Sequence, residues 1–369
     1  MSRSGFMIYG AYGYTGRLIT QLAVRRGHRP LLAGRRPEPL SMLARELSLP
    51  CVTLSLDDPE LLRHELGGVR CVVHAAGPFV HTSQPMIDAC LATGTHYVDI
   101  TGELPAFEYA FAQHETAWQN RVALIPGLGF DVVPSDSLAC FVAEGLRHAT
   151  HLEIAFAVLG GASGGTLKAS LEGLARGNFE RREGVLEPIP LTAGTSEVRF
   201  FDRPRAVIPV PWGDLVTAFH STSIPNIRTC LAIPDAAAKL LGATQPLTEK
   251  LAPGFVKLLD KPALKAVISA LIGANLAGPG DRERESGSTQ LWARASESDG
   301  RDSEAWLETG DAYAFTAESV VRGVERLLTR PLAGTLTPSQ AFGVDFVLDI
   351  PGTKRHTRLG TNGARAEHK

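Results

Sequence analysis

The stretch Phe6-Met7-Ile8-Tyr9-Gly10-Ala11-Tyr12-Gly13-Tyr14-Thr15-Gly16-Arg17 restricts this chain more than any other. It reads as a short buried strand, a glycine turn and the opening of a helix. Gly10, Gly13 and Gly16 fall at three-residue spacing, a variant of the dinucleotide fingerprint. Gly10 turns the strand sharply, Gly13 lets backbone N–H groups approach a pyrophosphate, and Gly16 lets helix and strand pack closely. The helix then aims its unpaired N–H groups and positive dipole end at phosphates. A glycine triplet alone also fits a purely structural turn. Here it follows an apolar run and precedes Leu18, Ile19, Leu22 and Ala23 on one helical face, the context that favours cofactor binding.

Strands and helices alternate beyond this point. Strands are expected at Pro30–Gly34, Cys51–Leu54, Cys71–His74, His96–Ile100 and Arg121–Ile125. Helices are expected at Glu38–Leu47, from Pro59 with Asp58 as cap, at Ser83–Ala92, and over Leu104–Trp118 with Leu104, Phe107, Phe111, His114 and Trp118 inward. This rhythm implies right-handed crossovers and a doubly wound parallel sheet. After Pro134 it changes. A helix over Ser135–Leu146 leads to strand-like runs at Leu152–Val158, Glu197–Phe201, Leu215–Ser221, Ile227–Ile233, Thr289–Ala295 and Ala305–Thr309. Helices are expected near Thr166–Arg176, Ala236–Leu241 and Phe255–Leu276, and a strongly amphipathic one capped by Thr316. The fold class is therefore α/β: a Rossmann domain over 1–133, an α+β substrate or closure domain over 134–350, and a frayed basic tail over 351–369, with helix 316–330 free to pack back on the first domain.

The 369 residues suffice for two such domains, and a formal charge of −2 gives no electrostatic case for nucleic acid or an anionic membrane. The five cysteines are scattered singly, so no metal site is expected and a reduced, cytoplasmic compartment is. The first apolar segment runs straight into the glycine turn, which argues against a signal peptide. The apolar stretch Ala266–Gly280 is too short to span a bilayer. Within 255–276, core packing, an interface and peripheral membrane contact all stay open, as does a homodimer.

Cofactor choice turns on the end of the second strand. An NAD-binding fold places an acidic side chain there for the ribose 2′-hydroxyl; this chain has Gly34-Arg35-Arg36. Two guanidinium groups suit a 2′-phosphate, although two solvated arginines at a turn would look the same. NADP is the expected cofactor. Ligands of a doubly wound sheet sit beyond the carboxyl ends of its strands, where three loops fall. Ala76, Gly77, Pro78 and Phe79 follow the fourth strand, and Asp99 and Glu103 the fifth. Asp131, Ser135 and Asp136 follow the sixth. Asp131 and Asp99 are the catalytic-side candidates. Gly10, Tyr12, Gly13, Tyr14, Thr15, Gly16, Arg35, Arg36 and Ala76 to Phe79 are the cofactor candidates. Glu103, Ser135 and Asp136 fit helix starts equally well, and His74 and His81 more readily read as structural than as proton donors. The run Gly160–Thr166 fits an anion or substrate site and a flexible, threonine-capped loop alike.

Gly10-Ala-Tyr-Gly-Tyr-Thr-Gly16, Ala76-Gly-Pro-Phe79, Tyr97-Val-Asp-Ile-Thr-Gly-Glu103 and Gly129-Phe-Asp-Val-Val-Pro-Ser-Asp136 together resemble the saccharopine dehydrogenase-like oxidoreductases. The resemblance is nearest to the branch of the trans-acting enoyl reductases and the eukaryotic saccharopine dehydrogenase-like oxidoreductase. Ser163-Gly-Gly-Thr166 and Ala341-Phe-Gly-Val-Asp-Phe346 fit that branch too. The resemblance implies a Rossmann domain, NADP, and a second domain closing over the nicotinamide. It implies an NADPH-dependent reductase of an activated double bond on a small molecule, an enoyl or lipid-like acyl group. The alternatives are a carbon–nitrogen oxidoreductase of the saccharopine type and a catalytically silent NADP-binding scaffold. Tyr12 departs from the pattern, since many relatives carry a small residue there.

Overall fold

The computed structural model describes residues 4–158, 178–190, 194–235 and 288–359. The expected loop Gly160–Thr166, the helices at Thr166–Arg176, Ala236–Leu241 and Phe255–Leu276, and the tail beyond 359 lie outside them. The chain divides into two units, Met1–Ser137 with Ala312–Pro351, and Leu138–Asp311 with the chain from Gly352 onward.

In the first unit, β1 (Ser4–Tyr9) leads through the glycine turn into α1 (Tyr14–Arg25). Then come β2 (Leu31–Gly34), α2 (Pro37–Leu47), β3 (Cys51–Thr53), α3 (Pro59–Gly67), β4 (Val69–His74) and α4 (Phe79–Thr93). They are followed by β5 (His96–Asp99), α5 (Leu104–Ala112), α6 (His114–Gln119) and β6 (Ala123–Ile125), and α7 (Val133–Glu144) runs on from the first unit into the residues of the second. All these strands pair in parallel, in the order β6-β5-β4-β1-β2-β3. Met7, Ile8, Val72, Val73, Val98 and Leu124 are fully buried, as strands covered on both faces require. Asp58 caps α3 as expected, its carboxylate accepting from Leu61 N at 3.0 Å. The single helix expected over Leu104–Trp118 is instead two. Gln113 (φ −89°, ψ 5°) leaves helical geometry between them, and Trp118 is 59% exposed rather than inward.

The second unit contributes β7 (Ala149–Val158), β8 (Asn178–Arg182), β9 (Val185–Ile189), β10 (Ser196–Arg199), β11 (Pro204–Pro209), α8 (Asp214–Thr222), β12 (Asn226–Ala232), β13 (Thr289–Glu297) and β14 (Asp302–Thr309). Its sheet is mixed: β12 and β7 run parallel, their other pairings antiparallel. Trp292 on β13 faces Trp306 on β14, and both join Phe200, Val207 and Cys230 in one core cluster. The strand expected at Leu215–Ser221 is the helix α8. Its buried run Leu215-Val216-Thr217-Ala218 has no period that separates strand from helix. The Thr222 hydroxyl bonds back to Ala218 O at 2.6 Å inside the helix.

The chain returns to the first unit with α9 (Ala312–Leu327), β15 (Gly334–Thr335) and α10 (Pro338–Phe342). β15 adds in parallel to β6, completing a seven-stranded sheet. Thr316 does not cap α9 as expected. The helix starts a turn earlier, and the Thr316 hydroxyl donates to Ala312 O (2.8 Å) while accepting from Phe130 N (3.0 Å). α9 lies along α1, where Glu325 accepts from Arg26 at 2.9 and 2.6 Å and contacts His28 Nε2 at 2.8 Å. Last, β16 (Lys354–His356) pairs with β14, so these residues are a sheet edge rather than part of a frayed tail. The backbone pairing of Trp306 with His356 supplies the order that a basic, polar composition does not reveal.

Candidate functional site

The strand order reverses between β1 and β4, the switch point at which doubly wound sheets bind ligands. At β1, Gly10 has φ +84° and donates its N–H to Ala33 O at 2.8 Å. A Cβ on Gly10 would lie 2.9 Å from Ala75 C and Ala76 Cβ, and one on Gly16 only 2.2 Å from Gly10 O. Gly13 is the N-cap of α1, which has no side-chain cap hydrogen bond among the described residues and no acidic residue in its first turn. A helix start of this kind, with no side-chain cap among the described residues, is suited to an anion. Thr15 sits in that first turn, and the Tyr14 ring packs edge-on against Tyr313 of α9 at 4.9 Å.

At the end of β2, Arg35 and Arg36 are both exposed. Arg35 makes no ion pair among the described residues. Tyr12 folds over Gly34, with the Arg36 guanidinium 4.9 Å from its ring centroid. The cradle and the two arginines fit the diphosphate and 2′-phosphate of NADP. When bound, this cofactor supplies a hydride to an electrophilic carbon.

The loops after β4, β5 and β6 are tied together from the middle strand. Asp99, 1% exposed at the end of β5, accepts from Tyr97 Oη at 2.5 Å, Thr101 N at 3.0 Å and Gly127 N at 2.7 Å. Burial pushes its pKa up to about 6, against those hydrogen bonds, which lower it. Glu103 reaches the other way, accepting from Phe79 N (2.8 Å) and Val80 N (2.9 Å). It thus satisfies the first turn of α4, where Pro78 as N-cap offers no side-chain acceptor. The Glu103 carboxylate thus serves the start of α4 rather than that of its own helix, α5.

Asp131, beyond β6, is partly accessible and sits beside Gly102, where a Cβ would be 2.9 Å from its Oδ2. Burial raises its pKa to about 6. Asp131 therefore joins the β5 loop, whereas Asp99 is enclosed by its donors. Ala76 is partly buried and Gly77 and Pro78 are exposed, but Phe79 is buried and turns edge-on to His74 at 5.3 Å. His74 is fully buried, and desolvation lowers its pKa to about 3, so it is neutral. The Thr82 hydroxyl donates to Ala76 O at 2.8 Å, so His74 Nε2 donates to Thr82 Oγ1 at 2.9 Å, and Nδ1 has no hydrogen-bond partner among the described residues. His74 thus holds the Ala76 loop through Thr82, a link with no sequence signal. His81 is exposed. Ser135 donates to its own turn at Val132 O, and Asp136 accepts from Ser339 N at 2.8 Å, anchoring α10. Among the described residues, no group of three or more His, Cys, Asp or Glu is placed to hold a metal, and no helix is long and apolar enough to cross a membrane.

Comparison with known proteins places this geometry. Residues 6–125 match the family model described as the saccharopine dehydrogenase NADP binding domain. A trans-acting enoyl reductase of Mycobacterium leprae is 33% identical over 138 residues, covering 35% of this chain and 33% of that protein. A saccharopine dehydrogenase-like oxidoreductase of Mus musculus is 26% identical over 214 residues, 50% of each. The chain spans between a third and a half of the length of these curated relatives. Among solved structures, the apo histidine-tagged saccharopine dehydrogenase (L-Glu forming) from Saccharomyces cerevisiae matches with a TM-score of 0.62 at 12% identity, covering 96% of this chain and 100% of that one. That last likeness is one of fold. The resemblance carried by the motifs holds, and NADP is the cofactor of the matched domain.

Proposed function

We propose that this chain, whose first unit carries a saccharopine dehydrogenase-type NADP-binding domain, is an NADPH-dependent reductase of an activated carbon–carbon double bond in an acyl substrate. One observation carries the reductase reading. The glycine cradle at Gly10–Gly16 and the exposed Arg35 and Arg36 lie at the same strand edge as the raised carboxyl of Asp131. The likeness to trans-acting enoyl reductases supports the choice of bond.

In this reading Arg35 and Arg36 hold the 2′-phosphate and the first turn of α1 holds the diphosphate. Asp131 is the proton donor. With a pKa of about 6, a fraction of its carboxyl stays protonated near neutrality, as a general acid requires. Asp99 and Glu103 do not meet the substrate; they keep the loops after β4, β5 and β6 in register around it.

The test is loss of reduced-nicotinamide absorbance with a panel of 2-enoyl thioesters, cyclic imines, and oxo acids with an amine. Turnover of enoyl thioesters alone is expected. Turnover confined to imines or oxo acids would assign carbon–nitrogen chemistry instead. Tight NADPH binding with no turnover on any class would make the protein an NADP-binding scaffold.

A further inference from the structure

Tyr12 is a bulky ring in a turn whose backbone path asks only for small residues around it. The ring folds onto the end of β2, where a Cβ on Gly34 would fall 2.5 Å from Cε1 and 3.3 Å from Cδ1. The nearest obstacles to a side chain at position 34 are thus atoms of the Tyr12 ring. That strand end is where an NAD-binding sheet carries the carboxylate for the ribose 2′-hydroxyl. The same ring supports Arg36. The guanidinium carbon stands 4.9 Å from the centroid, and Arg36 N–H donates to the phenol oxygen at 3.3 Å. Arg35, one residue earlier, has no such support among the described residues.

We infer that Tyr12 is a positioning residue for cofactor choice: it holds Arg36 ready for a 2′-phosphate. The inference rests on the NADP reading of the first unit and names how this chain, with an unusual residue in its turn, enforces it. An exposed arginine surrenders rotamer freedom when it grips a phosphate. Stacking on Tyr12 restricts that freedom before the ligand arrives, and the planar guanidinium keeps its edge donors available while one face lies on the ring.

The experiment is calorimetry on the full chain with 2′,5′-ADP and 5′-AMP as fragments, then with NADPH and NADH. Wild type binds 2′,5′-ADP more tightly than 5′-AMP; no preference would overturn the NADP reading and this inference together. Tyr12→Ala and Tyr12→Leu each weaken 2′,5′-ADP by about two- to fivefold, the size of an exposed cation–π contact, and leave 5′-AMP within about twofold. Tyr12→Phe, which keeps the ring, stays close to wild type. In an Arg36→Ala background, Tyr12→Ala has no further effect on the preference. A wild-type preference in Tyr12→Leu, an equal loss for both fragments, or an undiminished effect without Arg36 would each overturn the role of Tyr12 and leave the NADP site standing.

Discussion

Replacing Gly16 with alanine tests whether the turn at the start of α1 is as tight as its geometry states. The added Cβ would lie 2.2 Å from Gly10 O, 3.0 Å from Gly10 C and 3.1 Å from Ala11 Cα, against 3.4–4 Å for ordinary contact. Every obstacle is backbone. That backbone is itself held, by Gly10 N to Ala33 O at 2.8 Å and Gly13 N to Gly10 O at 3.0 Å. Relief therefore requires moving the start of α1 by about 1 Å, and overpacking of this kind falls at the upper end of its usual range, about 3 kcal/mol. For a unit of this size the melting temperature should fall by roughly 6 to 12 °C. NADPH affinity falls with it, because the displaced turn presents the phosphate-binding N–H groups. Thermal unfolding followed by circular dichroism, with calorimetry of NADPH, measures both. Gly5→Ala is the reference, since nothing lies within 4 Å of its added Cβ. Gly13→Ala, facing only Gly10 O at 3.2 Å, should fall between. A Gly16→Ala midpoint equal to that of Gly5→Ala would refute the reasoning.

Arg35→Ala should weaken NADPH by about 1–3 kcal/mol, the loss of a charged hydrogen bond, and barely affect NADH; equal losses in a titration of both would place the 2′-phosphate elsewhere. Asp99 gives a pH signature. Its pKa rises from 3.8 to about 6 on folding, so the folded state binds the proton more tightly, and this group's contribution becomes less favourable as pH rises from 4 to 6. Asp99→Asn is neutral throughout and keeps an acceptor for Thr101 and Gly127. It should gain on wild type across that window, by up to about 3 kcal/mol, and the difference should be flat above it. A stability difference independent of pH in unfolding titrations would show that Asp99 is not desolvated as described.

The parts of the site legible in the chain are those made by near neighbours. The glycine turn, the amphipathic α1 and the arginine pair after β2 lie within about one βαβ unit, so spacing and residue type suffice to read them. The roles of the acidic residues were not legible in the same way. Asp99 bonds to Gly127 across a separation of 28 residues, and Glu103 to Val80 across 23. A carboxylate at a strand end looks the same whether it faces a ligand or a neighbouring loop. The helix α8 is not legible because a four-residue buried run has no diagnostic period, and β16 because its order comes from pairing with the distant β14.

What the chain alone determines is the parallel sheet and its glycine turn: alternating apolar segments force crossovers, and only glycine fits where backbone meets backbone within 3 Å. Packing alone decided that α9 and β15 return to this sheet after a whole second unit, that the ring of Tyr12 folds onto the end of β2, and that Asp99 and Glu103 brace three loops. Those outcomes depend on which distant surfaces meet and which buried donors lack another acceptor, and neither is written in local order.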